Sequence, residues 1–190
     1  MLLTVSGPPG GGKTTNAALL AEEFGLEHVS GGDIFRQLAD ERGYTPRVQQ
    51  TRRGERRNRP RPRPTTARDR RRARRRRPRV ATAGWLAAEQ ADLKFWLDAP
   101  LAIRGERIAD REDKSPERAT EETRAREASE VGRYRKYYGI EFGDLSIYDL
   151  SISTARWSPE AVADTLVTAV EAYDPAADEG KTPVDVDYEF

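Results

Sequence analysis

A chain of 190 residues is the size of one globular domain; it has no cysteine and a single histidine, His28, which excludes disulfide frameworks, thiolate sites and any chemistry needing two imidazoles. The formal charge of +1 averages two unlike populations: residues 47–82 hold 17 arginines against two acids, Glu55 and Asp69, while the other 154 residues hold 16 bases and 30 acids, a net −14. Only five lysines occur in the chain, and an acidic, lysine-poor surface stays hydrated where salt screens charge strongly, which predicts a halophile-type protein.

The opening MLLTVSGPPGGGKTT has no basic leader region, and no run reaches the length of a membrane span, so a cytoplasmic protein without membrane contact is expected. Leu2–Ser6 is a short apolar run ending in glycines, a buried first strand. NAALLAEEFG (16–25) has helical apolar spacing and stops at a glycine. LEHVS predicts a second strand and GDIFRQLADERG a second helix. After the arginine-rich block, ADLKFWLDAP (91–100) predicts a buried strand, and LAIRGERIADRE returns to helical spacing. SPERATEETRAREASEVGRYRKYYGI predicts a long charged helix or a helix pair, with Ser115-Pro116 as N-cap and first residue. YDLSISTA is a further strand and SPEAVADTLVTAVEAY a capped amphipathic helix, while the tail from Asp174 is Pro-, Gly- and acid-rich and expected to be loose. Strands alternating with helices predict an α/β protein with a mostly parallel sheet of about five strands. His28 is expected at a strand end in a structural role, and Trp85, Trp96 and Trp157 in core or hinge packing.

Residues Gly7-Pro8-Pro9-Gly10-Gly11-Gly12-Lys13-Thr14 fit G-x-x-x-x-G-K-[ST] at every fixed position. Glycines let such a loop curl until successive backbone N–H groups face one concavity at a helix N-terminus, where phosphate oxygens bind. Lys13 would reach the β- and γ-phosphates of ATP, the hydroxyl of Thr14 would hold Mg²⁺, and Thr15 completes the site. The apolar strand before it and the amphipathic helix after it supply the context such a loop requires.

GPPGGGKTT, followed by HVSGGDIFRQLADERG and later by FWLDAP, REDKSPERA, RAREASEVGRYRKYYGI and YDLSISTARWSPEAV, resembles the archaeal cytidylate kinases of the nucleoside monophosphate kinase superfamily. The resemblance covers residues 1–46 and 83–190. It implies a three-layer P-loop kinase fold over residues 1–173, with an acceptor-nucleotide lobe at about 31–82 and a lid at about 111–126. It further implies Mg²⁺-dependent transfer of the γ-phosphoryl of ATP to CMP or dCMP by a monomer with no nucleic-acid partner. Asp33 and Arg36 match the acceptor side, with Arg36 on the monophosphate. Arg107, Arg111, Arg126 and Arg133 are candidates for contact with the transferring phosphates, although Glu and Arg at i, i+4 spacing also stabilise a solvated helix without any such role. Two alternatives stay open: another monophosphate kinase such as adenylate kinase, and a P-loop nucleotide-binding protein whose basic arm binds nucleic acid.

The block RPRPRPTTARDRRRARRRRPRV (59–80) does not belong with its neighbours. It carries no aromatic residue to stack on bases, and salt weakens backbone binding by counterion competition. Arginine is mostly encoded CGN, and a one-base shift turns CGN into codons for Asp, Glu, Ala, Val or Gly. Read one base later with synonymous codons free, residues 47–82 admit an acidic string of helical periodicity. It has a strand-like V-L-E-S near its end, followed by Arg-Leu, resembles the acceptor lobe of the family, and runs directly into Ala83-Gly84-Trp85. A pair of compensating frameshifts is the reading that follows. As written, Pro60, Pro62 and Pro64 forbid a regular helix, so 47–82 is expected to be irregular and the sheet to lack the buried partner that V-L-E-S would supply.

Overall fold

The computed structural model describes residues 1–29, 79–81 and 91–178. In chain order it contains β1 (Leu2–Ser6), α1 (Lys13–Glu23), β2 (Glu27–Val29), β3 (Arg79–Ala81), β4 (Leu93–Asp98), α2 (Leu101–Glu112), α3 (Pro116–Tyr138), β5 (Leu150–Ser153), a 3-10 turn (Thr154–Arg156) and α4 (Pro159–Ala172). The strands form one sheet, β2-β3-β1-β4-β5, with every neighbouring pair parallel. Strand order reverses around β1, and in such sheets ligands bind beyond the carboxyl ends of the strands at that point. The predicted α/β class, parallel sheet and strand number all hold.

One expectation about the block is corrected. The sheet does not lack a strand there: Arg79–Ala81 lies between β1 and β2, in register with Leu2–Thr4 on one side and Glu27–Val29 on the other. Strand pairing is made by the backbone, which any sequence supplies, and the β-branched Val80 is fully buried in the core. The block as far as Pro78, the predicted helix GDIFRQLADERG and Trp85 lie outside the described residues.

Alternation along the strands sorts their side chains onto two faces. Leu3, Val5, Phe95 and Leu97 meet Ala17 and Leu20 of α1 and Val162, Leu166 and Val170 of α4, forming the main core. Burying each such aliphatic side chain contributes about 1.5–3 kcal/mol. The alternate residues Thr4, Ser6, Lys94 and Trp96 are also buried but mostly polar. Trp96 meets Phe142 edge-on at 5.3 Å and Tyr148 at 5.1 Å, and Tyr134 of α3 packs on Phe142. Lys94 is held by Asp149, with its Nζ 3.6 Å from Oδ2.

The long charged segment is one helix rather than two. Ser115 Oγ accepts from the Arg118 N–H at 3.4 Å with Pro116 next to it, and Gly139 closes the far end in the left-handed region. α2 and α3 form a close hairpin because residue 105 is glycine: a Cβ there would overlap Thr120 Oγ1. The hairpin turn carries an ion-pair cluster. Lys114 bridges Glu112 (2.8 Å) and Glu122 (2.6 Å), Arg118 meets Glu122 (2.9 Å), and Arg111 meets Glu112 (3.0 Å). Hydrogen bonds from Lys114 and Arg111 hold the Glu112 carboxyl down at about 2. In α4, Ser158 caps through the Ala161 N–H at 3.2 Å.

Trp157 departs from expectation: it is 59% exposed rather than packed. His28 sits exposed on the edge strand β2. Of the tail, Asp174–Asp178 is described, with Tyr173 Oη donating to Asp178 Oδ2 at 2.7 Å; residues 179–190 lie outside the described residues. Among the described residues no helix is long and apolar enough to cross a membrane.

Candidate active site

β1 delivers the chain at the carboxyl edge of the sheet, and the next six residues, Gly7 to Gly12, form the predicted phosphate loop before α1 starts at Lys13. Gly7 lies against the Leu97 carbonyl of β4, and Gly10 and Gly12 hold left-handed φ values of 80° and 92°. The loop closes on the Pro8 carbonyl, which accepts from the Gly11 N–H at 3.1 Å and from Lys13 Nζ at 2.7 Å. Asn16 Nδ2 donates to the Gly12 carbonyl at 3.0 Å. Thr14 and Thr15, in the first turn of α1, are exposed.

Lys13 is half-buried, and burial pulls its ammonium from 10.5 down to about 8. Glu130 and Asp98 act against that pull, while Arg104 and Arg126 add to it. The lysine is thus poised to gain from an arriving polyanion, because phosphate charge restores what desolvation removed. The same interactions bring Arg126 and Glu130 of α3 within electrostatic reach of the loop.

Two arginines of α2 brace the outside of the loop. Arg104 is only 5% exposed. It donates to the Ala99 carbonyl (2.7 Å), the Pro9 carbonyl (3.2 Å) and Glu127 Oε2 (3.0 Å), with Asp98 Oδ1 at 3.7 Å. Arg107 donates to Thr154 Oγ1 (2.9 Å) and its carbonyl (2.7 Å), and to the Gly10 carbonyl at 3.4 Å. Thr154 Oγ1 in turn lies 3.1 Å from the Asp98 carbonyl and 3.4 Å from that of Gly11. Arg107, expected on the phosphates, is therefore engaged with backbone carbonyls behind the loop. Arg104 was not anticipated. Its clue was its position: Arg104, Gly105, Ile108 and Ala109 are the buried residues of α2, so the arginine falls on the stripe that faces inward.

The other predicted residues divide. Arg126 is brought toward Lys13, whereas Arg111 pairs with Glu112 and is 65% exposed. Arg133 is exposed and acts on Tyr134; among the described residues neither it nor Arg126 has an ion-pair partner. Asp33 and Arg36 lie outside the described residues. The donor set suits a hard cation: the exposed hydroxyl of Thr14 and the half-exposed carboxylate of Asp98 offer oxygen. Among the described residues no cluster of three acidic or imidazole ligands exists.

The AAA domain family matches residues 6–132 of the chain. A cytidylate kinase of Halorubrum lacusprofundi is 52% identical over 192 aligned residues, and one of Haloquadratum walsbyi is 54% identical over 193, each alignment covering 100% of both proteins. A solved structure of an uncharacterized protein from Eubacterium ventriosum aligns with a TM-score of 0.66 over 91% of this chain and 99% of that one, at 12% identity. That likeness shows the fold alone. Identity above one half along the entire length, on a sheet that delivers its first strand into a phosphate loop, settles the family: the chain belongs to the cytidylate kinases.

Proposed function

We propose that the chain transfers the γ-phosphoryl group of ATP to CMP or dCMP, giving ADP and the corresponding cytidine diphosphate. The observation that carries this reading is the full-length identity to cytidylate kinases, combined with a complete phosphate loop in which Lys13 is charge-starved. In the reaction an oxygen of the acceptor monophosphate bonds to the γ-phosphorus as the bond from that phosphorus to the β,γ-bridging oxygen breaks. No protein atom becomes covalent, so catalysis consists of alignment and of placing positive charge around the transferring oxygens.

The loop from Gly7 to Gly12 binds the α- and β-phosphates through its amides, and Lys13 reaches the β- and γ-oxygens. Mg²⁺, held by Thr14, supplies further neutralisation of phosphate charge when bound. Arg126 is the α3 arginine best supported as a phosphate contact, because its charge already acts on Lys13. Arg111 and Arg133 join it on closure of the hairpin, Arg111 leaving Glu112 to do so, and closure excludes the water that would otherwise take the phosphoryl group. Asp33 and Arg36 hold the acceptor, on the strength of their match to the family motif. The enzyme acts as a cytoplasmic monomer without nucleic acid.

The arginine block is best read as displaced frame rather than as an inserted arm. The reading is supported by the codon relation between arginine and the acidic residues and by the family likeness of the shifted string. Acceptor competition tests the function directly. With ATP as donor and the frame of residues 47–82 restored, CMP and dCMP give higher kcat/KM than AMP or UMP, measured as acceptor-dependent ADP release in molar KCl. Highest kcat/KM with AMP would replace the reading with that of an adenylate kinase.

A further inference from the structure

Arg104 is a buried cation whose contacts each belong to a different element: the Ala99 carbonyl beyond β4, the Pro9 carbonyl in the phosphate loop, and Glu127 on α3. We propose that Arg104 is a positioning residue that couples docking of the α2–α3 hairpin to the shape of the phosphate loop, with Glu127 as its release point. The proposal rests on reading the site as that of a nucleotide kinase.

Two observations fix Arg104 to the loop. The Pro9–Gly10 peptide is trans and planar, so drawing the Pro9 carbonyl toward the guanidinium turns the Gly10 N–H to the opposite side of that peptide. Gly10 itself, at φ 80°, leaves room for the arginine: a Cβ there would stand 2.8 Å from Arg104 Cβ. Arg104 thereby holds one peptide of the nest from behind. A lysine could not do the same, since three bonds in three directions need the planar fork of a guanidinium.

The third arm reaches the moving part. Glu127 follows Arg126 and precedes Glu130 by three residues, and both of these act on Lys13. Its side chain is 31% exposed while that of Arg104 is 6% exposed, so water can enter this contact and not the other two. A sealed guanidinium that loses its hydrogen-bonded carboxylate keeps only the longer contact to Asp98 Oδ1 at 3.7 Å, and is disfavoured. The pair therefore draws α3 back against the loop, and the same guanidinium that senses α3 holds the Pro9 carbonyl. ATP should feel this more than ADP. The α- and β-phosphates are held by the loop amides, whereas the γ-phosphate also depends on the face of α3 that Glu127 seats.

The test is calorimetric titration of ATP and of ADP, each with Mg²⁺, into the full chain and into Glu127→Gln, Glu127→Asp and Arg104→Lys, in molar KCl. Expected is a loss of about tenfold in ATP affinity for Glu127→Gln with ADP changed less than about twofold, the size of one charge-assisted hydrogen bond. Glu127→Asp restores part of the ATP affinity. Arg104→Lys weakens both nucleotides, and the double variant Arg104→Lys/Glu127→Gln is no worse than Arg104→Lys, because the two side chains act as one unit. Equal loss of ATP and ADP in Glu127→Gln, no loss of either, or effects that multiply in the double variant would overturn the coupling. Glu127 is partly exposed, so Glu127→Gln folds and alone decides the matter if Arg104→Lys does not. Failure of the unaltered chain to bind ATP at all would instead strike at the kinase reading.

Discussion

Replacing Lys13 by methionine should make the free protein more stable while abolishing phosphoryl transfer. The ammonium sits at about 8 instead of 10.5, chiefly because burial strips its water. At about 1.4 kcal/mol per tenfold, that displacement corresponds to roughly 3 kcal/mol of strain carried by the folded enzyme. Methionine keeps the length of the side chain and removes the charge. It also removes the charged bond from Nζ to the Pro8 carbonyl, worth about 1.5 kcal/mol, and residual solvent at the half-buried site trims the gain further, leaving about 1 kcal/mol. The folded-state value lies below the unfolded one, so between pH 8 and 10.5 the unfolded chain binds the extra proton. Wild-type stability accordingly rises with pH through that window, and the penalty is complete only below pH 8. The advantage of the variant should be largest at pH 7 and vanish near pH 10.5. Urea unfolding without nucleotide, in molar KCl at several pH values, measures it. A variant equal to or less stable than wild type at pH 7 would refute the claim that Lys13 is held under strain, whatever its activity.

Gly105→Val places a branched side chain where Thr120 packs; over-packing of this kind costs about 1–3 kcal/mol, read as a fall in the urea midpoint. Thr14→Val keeps the shape of the first turn of α1 and removes its hydroxyl, so the Mg²⁺ concentration needed for half-maximal turnover should rise about tenfold or more; an unchanged Mg²⁺ requirement would remove Thr14 from the metal. The chain as written should bind ATP but phosphorylate CMP poorly, and a frame-restored chain should gain activity and helical circular dichroism; equal activity and equal spectra in the two would defeat the frameshift reading.

The phosphate loop was legible in the sequence because its chemistry is local: glycines, lysine and threonine must be consecutive for their amides and side chains to meet one anion. The helix starts at Ser115-Pro116 and Ser158-Pro159 were legible for the same reason, since a cap is made within three residues. Arg104 was not. Its partners lie 95 residues away at Pro9 and 23 away at Glu127, and its place on the inward stripe of a densely charged hairpin does not by itself say what it meets. The bond of Arg107, a candidate phosphate contact, to Thr154 was invisible for the same reason, because Thr154 is 47 positions on. Trp157 was expected inside on hydrophobicity alone, yet large apolar residues are tolerated singly at surfaces. β3 was missed because arginine composition hid one valine and a backbone that pairs regardless of side chains.

Among the described strands, the one that carries the phosphate loop waits longest for a partner. Leu2 pairs with Arg79, and Leu3 with Leu93, so on the ribosome β1 emerges unpaired and stays so until nearly half of the chain has been made. Contacts of such sequence separation slow folding, and an apolar strand waiting for them is open to association with other chains. The loop also cannot assume its binding shape early, because Gly7 is seated by Leu97 and the Pro9 carbonyl by Arg104. Nucleotide therefore meets a formed loop only in chains where β4 and α2 have already packed against it. Cellular ATP, by binding that state alone, would shift the balance toward finished molecules by mass action, making the phosphoryl donor a quality check on the synthesis of its own kinase.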